Sequence, residues 1–218
     1  LGDVYKRQGI TTGDHNIAIG YLAMTDFDAG VNSANSSGNI AIGRSAMGGT
    51  VANTACNDNI AIGRNTMAAA LDGALYNIAI GVTSLNDLTT GDKNVSIGNN
   101  ALQKLTTGEG NVAIGYDAGG DGGNAALTGG GNTLIGNGAG SNLEGAGHSN
   151  TFIGGAAGNV TTTGVENTTL GYNTDIQDST ATNQIVIGNN LTGTKDNAVF
   201  IGNDTSHIEN DFNSDATW

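Results

Sequence analysis

The sequence predicts an all-β chain, a parallel β-solenoid (β-roll) of about eleven short coils, and three observations predict it. A five-residue segment, first written Asn16-Ile17-Ala18-Ile19-Gly20, recurs and closes on Gly20, Gly43, Gly63, Gly81, Gly98, Gly115, Gly136, Gly154, Gly171, Gly188 and Gly202. Within it apolar residues alternate with a period of two, as a short strand requires. The chain holds 37 glycines and no proline in 218 residues, an excess without the three-residue period of collagen. A unit this short cannot bury its own apolar face, so it must stack on its neighbours.

Each coil is legible in turn. Nine segments open on Asn, namely Asn16, Asn39, Asn59, Asn77, Asn94, Asn111, Asn132, Asn150 and Asn167. Identical amides in register on successive coils can form a hydrogen-bonded ladder, so these residues are read as structural. Ile19, Ile42, Ile62, Ile80, Ile97 and Ile114 precede the closing glycine, with Ile17, Ile40, Ile60, Ile78, Val95 and Val112 two places earlier. This row is expected inside, with Ile80 and Ile97 buried and stacked. The residues between them, Ala18, Ala41, Ala61, Ala79, Ser96 and Ala113, then Leu134, Phe152, Thr169, Val186 and Phe200, are mostly apolar as well. A strand apolar on both faces must be covered twice. One face fills the coil, and the other is expected to meet a second chain, so Ala61→Asp is expected to break assembly.

Small residues stand three places past the glycine (Ala23, Ala46, Thr66, Ser84, Ala101, Ala118, Ala139, Ala157, Thr174), where close packing at a corner is expected. The next position runs Met24, Met47, Met67, Leu85, Leu102 and then Gly119, Gly140, Gly158. A second short strand or half-turn is expected to complete each coil. The turn formula Thr11-Thr12-Gly13-Asp14-His15-Asn16 returns at 89–94, 106–111 and 162–167, with glycine and Asn supplying positive φ and local hydrogen bonds.

Three segments are expected. Residues 1–8 are set aside, because Asp3-Val4-Tyr5-Lys6-Arg7-Gln8 back-translates onto a transposon end used to prepare sequencing libraries. The natural N-terminus is therefore expected to be missing. Residues 9–202 form the β-roll, and 203–218 a C-terminal cap or a connector to a further domain, with Phe212 and Trp218 available to cover the last coil.

The net charge of −13, with few and scattered cations, disfavours nucleic acid and anionic lipid as partners. No run of about 20 apolar residues would cross a bilayer, so direct membrane insertion of this fragment is not expected. Cys56 stands alone and supports neither an intramolecular disulfide nor a zinc cluster; it is read as a small loop side chain. His15, His148 and His207 are far apart and lie outside the strands, so they are read as solvated turn residues. Gly119-Gly120-Asp121-Gly122-Gly123-Asn124 is faintly similar to a calcium nonapeptide, but it occurs once and tandem copies make that site. Asp26 and Asp28 flank Phe27 without the pocket that acid–base chemistry needs. Neither cofactor, metal nor enzymatic activity is expected.

The Asn-x-Ala-Ile-Gly strand, followed by a small residue three places on, resembles the head repeat of the YadA-like trimeric autotransporter adhesins. Similar repeats occur in phage tail-fibre proteins that carry a C-terminal intramolecular chaperone domain, and the tail at 203–218 is similar to the connector before that domain. The resemblance implies a homotrimer, extracellular, on a bacterial surface or a virion tail, attaching to a host-cell glycan or surface protein. The variable coil length departs from the more uniform adhesin heads. A purely structural spacer and a glycan-cleaving tailspike are the alternatives; a tailspike needs recurring paired carboxylates and aromatic platforms, which the sequence lacks. If a loop binds the partner, the sequence points to Asp26, Phe27 and Asp28, in the longest excursion from the coil.

Overall fold

A computed structural model describes residues 13–26, 35–120 and 125–212. Among these, β1 (Ile17–Ile19), β2 (Ile40–Ile42), β3 (Ile60–Ile62), β4 (Ile78–Ile80), β5 (Val95–Ile97), β6 (Val112–Ile114), β7 (Thr133–Ile135), β8 (Thr151–Ile153), β9 (Thr168–Leu170), β10 (Gln184–Asn189), β11 (Ala198–Asn203) and β12 (Ser206–Asp211) form one sheet in chain order. The protein is an all-β solenoid: β1 to β11 pair in parallel, each strand with the next, and only β12 runs antiparallel. Register follows the repeat without a slip, so Ile80 pairs with Ile97 and Ile97 with Ile114. The return path is made of turns joined by isolated bridges such as Asn57 to Leu75 and Val165 to Thr182, rather than by a second sheet.

The strand-closing glycines are required by their backbone. Those with positive φ have values from +131° at Gly20 to +144° at Gly202, a region closed to side chains. A Cβ on Gly20 would lie 2.6 Å from the carbonyl oxygen of Gly43, and the same clash repeats down the column. Two further left-handed residues follow each of β1 to β8, as at Ser45 and Met47, Asn65 and Met67, or Thr83 and Leu85. These bends fold the chain back within a few residues.

The interior differs from the sequence expectation. The middle residue of each three-residue strand, β1 to β9, points inward, so Ala41, Ala61, Ala79 and Ala113 are fully buried. Ile80 and Ile97 stack in register as expected but face outward, 37% and 36% exposed. Ala61 therefore lies in its own chain's core rather than on a contact face. The physical reason is that the coil is too narrow for two large rows. Small strand residues leave room for Met47, Met67, Leu85 and Leu102, which the left-handed turns aim inward and bury completely. Farther along, the assignment reverses. Leu134 and Phe152 are buried in the strands, and Gly140 and Gly158 stand at the turn position. A Cβ on Gly140 would lie 2.9 Å from Leu134 Cδ2 and 3.1 Å from Phe152 Cδ2. Close packing is kept by exchanging large for small across the coil.

The apolar core falls into two clusters, one from Ala23 to Ala157 and one of Ile176, Ala181, Val186, Leu191, Ala198 and Phe200. Buried Thr161, Thr169, Thr174 and Asp175 lie between them in sequence. At the C-terminal end β12 covers the open edge of β11 through antiparallel pairing from Ala198–Asp211 to Asn203–Ser206. Asn203 Oδ1 organises the reversal by accepting the Thr205 and Ser206 N–H groups. Lys195 Nζ lies 2.6 Å from both Glu209 and Asp211, tying β12 to the preceding turn. Phe212 is 41% exposed, so the cap acts through strand pairing rather than through an aromatic lid; Trp218 lies outside the described residues.

Candidate functional site: an outward apolar face on a polar ladder

The most extensive unusual surface is the outward side of the sheet. Ile19, Ile80, Ile97, Ile114, Leu170 and Ile201 form one column of it, each between 36% and 44% exposed, and Ile42, Ile62, Ile135 and Ile153 continue the column half-buried. A second column, Ile17, Ile40, Ile60, Ile78, Val95 and Val112, turns to Thr133, Thr151 and Thr168, returns to Ile185 and ends at Val199, which is buried. Single exposed isoleucines are ordinary, whereas a contiguous apolar stripe along a sheet marks an interaction surface.

The stripe is held straight by the asparagines behind it. Asn94 Oδ1 accepts both the backbone N–H of Asn111 at 2.9 Å and its side-chain amide at 3.1 Å. The same pair of bonds links Asn16 to Asn39, Asn39 to Asn59, Asn59 to Asn77, Asn77 to Asn94 and onward to Asn167. Each amide also donates to a turn carbonyl, as Asn94 does to Gly108 at 3.0 Å and Asn111 to Gly129 at 3.2 Å. Asn39 to Asn167 are fully buried and their polar atoms paired, which makes the ladder rigid rather than costly. It ends where Gln184 replaces Asn, with Gln184 N–H donating to Asn167 Oδ1 at 3.0 Å.

Other candidate residues serve the scaffold. Asp72 Oδ1 accepts the N–H groups of Asn53 and Thr54, which together hold its carboxyl below the ordinary carboxylate range, Asn53 contributing most. Asp92 accepts from Leu75, Glu144 from Ala125 and Asp196 from Thr182 in the same manner. Asp175 is only 8% exposed, and burial raises its pKa to about 6 against the lowering effect of the Val160 and Ile176 N–H groups. Ser96, standing where other coils have Ala, is satisfied by donating to Ala101 O and accepting from Ser84 Oγ. Cys56 lies in the irregular segment between β2 and β3, as expected, and its side chain is fully buried in the core, with its thiol pushed up by burial.

His15, His148 and His207 are exposed and separate, but His207 lies within β12 rather than in a turn, its ring 6.2 Å from that of Phe200. Among the described residues no group of three or more His, Cys, Asp or Glu side chains is arranged to hold a metal ion, and no helix is long and apolar enough to cross a membrane. Asp26 is exposed at the start of the long excursion, while Phe27 and Asp28 lie outside the described residues, as do Asp121 to Asn124. The isoleucine column, expected inside from the sequence, is itself the open surface. Comparison with protein-family models, curated proteins and solved structures finds no match to this chain.

Proposed function

We propose that the chain is a non-enzymatic segment of a homotrimeric adhesive fibre, extracellular, on a bacterial surface or a virion tail, that attaches to a host cell. The observation that carries this reading is the outward isoleucine stripe. It runs along the sheet in unbroken register, and a second copy with the same stripe would be its natural cover. Three such faces meeting about a common axis would bury the stripe and leave the turns outward. The resemblance of the repeat to YadA-like heads supports the same arrangement.

A rod with its amides paired from coil to coil transmits position without bending, and a trimer presents every turn three times. Weak contacts with a surface glycan or protein are thereby strengthened through multivalency. The carboxylates that fix turns rather than face one another support a binding role over hydrolysis. The same regularity favours a structural spacer as the second reading. Incubating the fluorescently labelled protein with cells of candidate hosts separates the two. Saturable attachment supports the adhesive fibre, and no attachment to any host by correctly assembled protein leaves the spacer.

A further inference from the structure

Immediately before each strand, one backbone position is left-handed in every coil. Its occupants are His15, Asp58, Tyr76, Lys93, Ser149, Glu166, Asn183 and Asn197, with φ between 53° and 61°, and three glycines, Gly38, Gly110 and Gly131. Eight coils therefore carry a side chain here, so the backbone does not demand glycine. Gly38 does have a steric reason, because a Cβ would run into the Asp58 carboxylate. Gly110 and Gly131 have none. A Cβ on Gly110 would meet nothing within 4 Å, and one on Gly131 only Ser149, at 3.8 Å.

The two glycines lie on adjacent coils and line an open hollow of about 580 Å³, within the size range of small-molecule clefts. Its walls mix glycine backbone with four polar side chains. Lys93 stands on the neighbouring coil, Glu109 beside Gly110, and Thr107 and Thr128 three residues ahead of Gly110 and Gly131, with Gly108 and the Gly130 backbone completing the lining. Lys93 and Glu109 form no ion pair with each other or with any other described residue. Thr128 Oγ1 is fixed by donating to Gly145 O at 2.8 Å and still offers acceptor lone pairs. The hollow belongs to the turn entering the strand, so it lies outside the isoleucine stripe.

We propose that the hollow over Gly110 and Gly131 binds one neutral saccharide unit, an inference that rests on the adhesive reading and gives it a site. An ammonium donor, a carboxylate acceptor and threonine oxygens around an open glycine floor match vicinal hydroxyls, which both give and accept hydrogen bonds. The single cation next to Glu109, on a chain of net charge −13, disfavours a sugar that carries its own carboxylate. A trimer would hold three such hollows on one rod.

The test is an array of immobilised glycans ending in glucose, galactose, mannose or N-acetylglucosamine, with sialylated glycans alongside, probed with the full chain. Gly110→Asn with Gly131→Asn places two side chains into the floor of the hollow at modest backbone cost, because Asn183 and Asn197 already occupy this position with φ of 53° and 54°. Binding to at least one neutral glycan is expected, weakened tenfold or more by the double substitution at unchanged circular dichroism and assembled mass. Glu109→Gln, on an exposed side chain without a folding role, is expected to weaken the same binding several-fold and carries the test should the filled variant misfold. Absence of neutral-glycan binding, a preference for sialylated glycans, or full binding by the variants would each overturn the site. If both variants still attach to cells as the wild type does, adhesion stands and this site falls.

Discussion

The ring of Phe152 occupies the space that Gly158 leaves empty: a Cβ on Gly158 would fall inside van der Waals contact with the ring's Cγ and Cδ2. The two residues belong to one coil, and their sizes are complementary. Gly158→Ala is expected to destabilise by roughly 1–3 kcal/mol through overpacking, increased by its φ of +66°. Phe152→Ala is expected to cost roughly 3–5 kcal/mol. Combined, they should cost less than their sum, and chemical denaturation of the four proteins of this cycle measures the coupling.

The amide ladder predicts a cost at Asn94 beyond that of one lost hydrogen bond. Asn94→Ala removes an acceptor for Asn111 and donors to Asn77 and Gly108. Buried groups left unpaired cost roughly 1–3 kcal/mol each, so a loss of about 3 kcal/mol or more is expected. Asn94→Asp, which keeps the acceptors but removes the amide donors and buries a charge, should be no better. Thermal unfolding followed by circular dichroism checks both.

Asp175 predicts a pH dependence of unusual sign. Its folded pKa of about 6 lies above the ordinary value of 3.8, so the folded chain holds this proton more tightly than the unfolded one. Its contribution to stability therefore rises as pH falls from about 6 toward 4, and neutral pH carries the penalty. Asp175→Asn is expected to be more stable than the wild type at pH 7 by about 1–2 kcal/mol. That difference should shrink below pH 5 in denaturant titrations, and a constant difference across pH would contradict the assignment.

Much of this was legible in the sequence because the repeat is strict. The pentads ending at Gly20, Gly43 and Gly63 mark β1, β2 and β3 directly, and the recurring Asn announces the ladder. Which strand face turns inward was not legible from alternation, because Ile and Ala are both apolar and the larger residue was expected inside. The deciding factor is the width of the coil, which lies in the left-handed turns at Met47, Met67 and Leu85. One signal for it was present. Where the strand carries Ala41 or Ala61 the turn carries Met47 or Met67, and where it carries Phe152 the turn carries Gly158. Residues that trade volume in this way share one interior. The hollow over Gly110 and Gly131 could not be read from a chain so rich in glycine, since only the free space around each distinguishes a required glycine from a permitted one.

In the proposed trimer the isoleucine stripe is covered by further copies of this chain. Light scattering of the purified protein tests it most directly, alongside a variant carrying Ile80→Asp and Ile97→Asp. Both positions are more than a third exposed in the single chain, so the substitutions should spare the coil while placing unpaired charges in any interface. Three times the chain mass of 21.7 kDa is expected for the wild type, and a single chain mass with unchanged β-structure for the variant. A stable, monodisperse wild-type monomer would contradict it.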